Sequence, residues 1–186
     1  MKRYKKENLI CALMAIVAAF IYAYHFHPPR MPMKTWVYML YAPFEAIFLH
    51  FPHELGHWVS YIFTDTQFIR SLSGPLLEVV APGACLVYLL KKDAAIITGP
   101  VMIWLGMSLR DTAYYMADAY LRIELPEGPH DWVTIFNGLG FLKYAVGIGQ
   151  IVYFIGIWFM WFPLFMFAYV MVFGHRHSPE QRQAEV

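Results

Sequence analysis

Charge and cysteine are both scarce in this sequence. Only 15% of its 186 residues are Asp, Glu, Lys or Arg, and 14 basic residues stand against 13 acidic ones, a net charge of +1. A nucleic-acid binder neutralises phosphates with a concentrated excess of Lys and Arg, so nucleic acid is excluded as a partner. The two cysteines, Cys11 and Cys85, both fall inside apolar runs. There a thiol serves as a small hydrophobe more readily than as half of a disulfide. Internal repeats, low-complexity tracts and any linker long enough to separate a pair of domains are also lacking.

What the chain has in abundance is apolar surface: 59% of residues are hydrophobic and 18% aromatic. Water does not favour that composition. The runs Leu9 to Tyr24 and Ile151 to Phe173 approach or exceed the roughly 20 residues that a helix needs to cross a bilayer. The expectation is an all-α fold, a polytopic membrane helical bundle of about five transmembrane or re-entrant segments. One integral-membrane domain then covers residues 1–186, with the lipid bilayer as its surroundings.

Lys2, Arg3, Lys5 and Lys6 precede the first apolar run, which ends near His27-Pro28-Pro29. It is longer than a signal-peptide core and no small-x-small cleavage site follows, so it reads as an uncleaved span with a cytoplasmic N-terminus. Trp36 to Phe63 is long for one span and contains Pro43 and Pro52, which suggests a kink or a re-entrant segment followed by a helix starting near Pro52. A third stretch opens at Ser73-Gly74-Pro75 and runs to Leu90. A fourth runs from Ala94 to about Tyr120, and the last lies within Tyr144 to Phe173. Five clean spans would put Lys91-Lys92 outside, against the positive-inside rule, and a re-entrant second or third segment removes the conflict.

The residues that carry chemistry are His53-Glu54-Leu55-Gly56-His57. Positions i and i+4 share one face of a helix, so both imidazoles can bind one Zn²⁺ while Glu54 acts as general base. Ionisable groups in so apolar a segment are costly and point to function. His50 extends the same face. Zinc needs a third protein ligand, and the sequence offers His130 or Asp131 in Gly128-Pro129-His130-Asp131-Trp132, with Asp118 as a further ligand or a partner to one. Asp111 is better placed to neutralise Arg110 or Arg122. Glu78, the one acid in a Gly/Pro-punctuated apolar stretch, reads with Gly74 as lining a substrate cavity if that segment unwinds, or as a carboxyl bonded to a neighbouring helix. Trp104, Trp132, Trp158 and Trp161 read as an interfacial belt and lipid-facing bulk.

His53 to His57 in an apolar segment resembles the intramembrane zinc metallopeptidases of the site-2 protease type. The order His53 to His57, Ser73-Gly74-Pro75, Trp104-Leu105-Gly106, Tyr115-Met116-Ala117-Asp118-Ala119 and His130-Asp131-Trp132 resembles more closely a group of small bacterial membrane proteins of that clan. The match covers about residues 45 to 145, and a metallopeptidase-like core would span about 36–145. The resemblance implies hydrolysis of a peptide bond in or near the bilayer, a membrane protein or peptide as substrate, and a multi-pass protein of a bacterial inner membrane. Site-2 proteases take their third ligand from an Asp-Gly segment that does not occur here, so the resemblance leaves that ligand unassigned. Two other readings compete: a non-hydrolytic zinc-binding membrane protein such as a sensor, chaperone or assembly factor, and a redox subunit with His50, His53 or His57 on haem.

Overall fold

The computed structural model describes residues 43, 45–92, 95–122 and 130–173. Cys11, the first apolar run, the histidines at 25 and 27, and the 175–177 tail lie outside them. Within the described residues the chain is helical with no strands. A π-helical turn at Ala46–His50 leads into α1 (Phe51–Phe63), followed by α2 (Gln67–Lys91), α3 (Ala95–Leu121), the short α4 (Asp131–Leu139), a 3-10 turn at Leu142–Tyr144, and α5 (Ala145–Phe173).

The π turn has a local cause. Pro52 has no N–H to offer the Phe48 carbonyl four residues earlier. Trp104 Nε1 donates to that carbonyl instead, at 2.7 Å, and the Phe51 amide reaches back to Ala46. Trp104 thus pins the start of the motif helix to α3, rather than sitting in a membrane-interface belt. Trp132 also departs from the belt expectation. It is buried and packs with Met116, Ala119, Ile135, Phe136 and Ala145. Trp158 remains exposed.

The Gly74 region does not unwind. It lies inside the continuous α2, with Pro75 and Pro82 within the helix. Gly56 and Gly74 let α1 and α2 touch: a Cβ on Gly56 would collide with the Ser73 carbonyl, and one on Gly74 with the His57 ring. Small residues seat α5 on α3 in the same way. A Cβ at Gly156 would stand 2.8 Å from the Gly106 carbonyl, and one at Gly149 2.7 Å from that of Ala113. Such close backbone approach is how helices associate where lipid supplies no hydrophobic drive.

Among the described residues two helical segments, Gln67–Lys91 and Leu142–Tyr169, are long and apolar enough to cross a membrane. Of the five segments expected, the first lies outside the described residues, and the physical reason that the others do not all qualify is visible in the helices left out. α1 has 13 residues and α4 has nine, lengths of about 20 Å and 14 Å at the α-helical rise, short of the roughly 30 Å hydrocarbon core. α3 is long enough at 27 residues but carries Arg110, Asp111 and Asp118. Much of α5 points outward, with Phe154 and Phe165 well exposed. Cys85 is a free, half-buried thiol packed with Leu86, Val101 and Leu105, as expected of a small hydrophobe.

Candidate metal centre

α1 places His53 and His57 one turn apart. α4 brings a third group to them, because Asp131 is its first residue and points its carboxylate at both rings. His57 Nε2 lies 3.1 Å from His53 Nε2. Asp131 Oδ2 lies 3.1 Å from His57 Nε2 and 3.4 Å from His53 Nε2. Among the described residues these three form a group that could hold a metal ion.

The outer nitrogens decide what the inner ones can do. His57 Nδ1 donates to the Arg70 carbonyl at 2.7 Å, and His53 Nδ1 donates to Glu78 Oε2 at 3.0 Å. In a neutral imidazole with Nδ1 protonated, Nε2 carries a bare lone pair. Two lone pairs and a carboxylate oxygen therefore meet within 3.4 Å. Acceptor atoms hold such spacing only around shared positive charge. A proton bridges one pair of them, whereas a metal ion satisfies all three. Tetrahedral zinc with bonds of about 2.0–2.1 Å sets neighbouring ligand atoms about 3.3 Å apart, so the donor set and its spacing fit zinc with one position left for water or substrate.

The supports of this triad come from α2. Arg70 is held by its own bonds to the preceding turn, Nε to the Thr64 carbonyl at 2.8 Å and Nη2 to Asp65 at 2.7 Å, which fixes the carbonyl that orients His57. Nothing in the sequence marks a backbone oxygen as a ligand's partner, and sequence reasoning missed it. Glu78 is 3% exposed. It orients His53, as the hydrogen-bonded reading expects, and it also lines the cavity, from a continuous helix rather than an unwound segment. Gly74 packs under the His57 ring instead of lining the cavity. Burial opposes ionisation of Asp131. When the two imidazoles carry a second proton in place of a metal, the His53 hydrogen bond, the charges of His57 and His53, and the Ser71 hydroxyl outweigh it and hold the carboxyl below its ordinary range. Its place in the first turn of a helix favours the anion too.

His130 does not join the two histidines. It precedes α4 in extended backbone, φ −139° and ψ 113°, so its side chain leaves in a different direction from that of Asp131. Its Nε2 stands 3.4 Å from Asp118 Oδ2, and its ring packs on Tyr115. The second and third sequence candidates for the third ligand thus pair with each other, away from the triad.

A cavity of about 70 Å³ adjoins the triad, lined in part by His50, His53, Glu54, Glu78 and Asp111. Glu54 is exposed to it beside His53. Comparison with protein-family models, curated proteins and solved structures finds no match to this chain.

Proposed function

We propose that the protein is a multi-pass intramembrane zinc metallopeptidase that hydrolyses a peptide bond in or near the bilayer. The observation that carries this reading is the convergence of His53, His57 and Asp131, with each imidazole tied outward through Nδ1, at the edge of a cavity that also holds Glu54. In this reading α2, α3 and α5 cross the bilayer, and the π turn with α1 forms a shorter re-entrant arm. The polar groups of α3 are tolerated because they face protein: Arg110 and Asp118 are buried, and Asp111 lines the cavity.

His53, His57 and Asp131 would hold the ion. When bound, zinc polarises a scissile carbonyl and acidifies water. The chain's own residues do the rest. Glu54, which is not a ligand, accepts a proton from the attacking water at its carboxylate and returns it to the leaving amine. Glu78 and the Arg70 carbonyl keep both rings in the tautomer that offers Nε2.

Glu54→Gln tests the mechanism against a site that only stores or senses zinc. We expect the purified variant to keep zinc and to lose cleavage of unfolded membrane-protein fragments by at least about 100-fold, the range of one general base. Cleavage at the wild-type rate would refute the hydrolytic role and favour the non-hydrolytic reading.

A further inference from the structure

The hydrolytic mechanism leaves much of the cavity unused. Beyond His53 and Glu54, its wall includes His50, Asp111, Thr112 and Tyr115. Two buried oxygen atoms there lack a hydrogen-bond donor among the described residues. Thr112 is 5% exposed, and its Oγ1 has no partner. Glu78 uses Oε2 on His53, but its Oε1 has none. Both residues line the cavity, and a buried oxygen left without a donor is a standing cost that a ligand bearing N–H groups removes.

The charge balance points the same way. Four carboxyl groups, Glu54, Glu78, Asp111 and Asp131, stand around the centre and its cavity, against a divalent ion, the imidazoles of His50 and His53, and Arg110 near Asp111. Among the described residues no Lys or Arg lines the cavity. Buried charge of one sign calls for a partner of the other. We propose that this cavity is a specificity pocket that receives an ammonium group of the substrate next to the scissile bond, held by Asp111, Glu78 Oε1 and Thr112 Oγ1. The proposal rests on the zinc-peptidase reading above. A volume of about 70 Å³ has room for an ammonium and a few water-sized groups. The ammonium offers three donors to these acceptors.

The test uses the full-length zinc-loaded protein in detergent and alkyl hydroxamates of increasing stem length, each ending in an ammonium or in an uncharged methyl of similar size. The hydroxamate anchors every probe on the metal, so the ratio of the two affinities reads the pocket alone. We expect the ammonium probe of the best stem length to bind about tenfold or more tightly than its isostere, as a charge-assisted hydrogen bond out of bulk water would allow. Asp111→Asn should bring the ratio close to one with zinc retained, and Thr112→Val should lower it severalfold. A ratio near one at every stem length in wild type, or a ratio untouched by both variants, overturns the pocket and leaves the peptidase reading standing. A second zinc per chain that disappears in Asp111→Asn also overturns it, by filling the cavity with metal. Protein that retains no zinc overturns the peptidase reading and the pocket together.

Discussion

His130 and Asp131 are neighbours in the chain, yet they enter opposite kinds of histidine–carboxylate assembly. His130 and Asp118 are 5% and 7% exposed and face each other at 3.4 Å between α3 and α4. Asp131 meets two imidazoles at 3.1 and 3.4 Å beside an open cavity, with 29% of its side chain exposed. The pair distances are nearly the same, so distance alone does not separate a helix-joining contact from a candidate metal centre. What separates them is the number of lone-pair atoms that converge and the access of solvent to them. In the triad each ring's second nitrogen is committed elsewhere, while His130 Nδ1 has no hydrogen-bond partner among the described residues.

The largest expected effect breaks that contrast at its centre. Wild type should carry close to one zinc per chain, and His53→Ala/His57→Ala should carry none. Asp131→Ala should weaken zinc by more than about 100-fold, since it removes a ligand rather than a support, while His130→Ala should keep the metal. Metal analysis after gel filtration checks all three. Zinc lost in His130→Ala and kept in Asp131→Ala would reverse the two assignments.

A smaller effect sharpens the role of the support. Glu78→Gln keeps the shape of the side chain but weakens its hold on the His53 N–H, and zinc affinity should fall about 10–100-fold. Competition with a chromogenic chelator measures it. An unchanged affinity would mean that His53 is oriented by its packing alone.

The smallest effect belongs to the helix-joining pair. Burial holds the His130 imidazole below its ordinary value of 6.5, against the pull of the Asp118 charge. The unfolded chain therefore takes up a proton near pH 6.5 that the folded chain resists, and this residue's contribution to stability declines as the pH falls through that value. His130→Gln should lower stability at neutral pH by about 1–3 kcal/mol through lost buried contacts, and should lose less on further acidification than wild type. Thermal unfolding in detergent between pH 5 and 8 reads both. Equal acid sensitivity in the two proteins would place the titration elsewhere.

The residues most legible in advance were those whose meaning is local. The spacing of His53 and His57 is a helical turn, and it needs no tertiary contact to put both rings on one face. Glu78 stood out as a lone acid in an apolar stretch. The Arg70 carbonyl and the Thr112 hydroxyl carried no such signal, because a backbone oxygen is common to every residue and a threonine in a helix is ordinary until its surroundings withhold a partner. Trp104 and Trp132 misled for a related reason. Membrane sequences rich in aromatics suggest a belt, yet these two are consumed by protein contacts, one on the Phe48 carbonyl and one in the packing around α4.

By itself the sequence determined the helical class, through long apolar runs with few charges, and the pair of histidines that face one way, through the period of 3.6. It also narrowed the candidates for a third ligand to His130, Asp131 or Asp118. Which of these approaches the histidines was decided only in three dimensions. The extended backbone at His130 and the helix that starts at Asp131 send consecutive side chains apart, and the touching backbones at Gly56 and Gly74 set where α1 lies on α2. Those choices depend on packing between segments distant in the chain, and local residue pattern does not encode it.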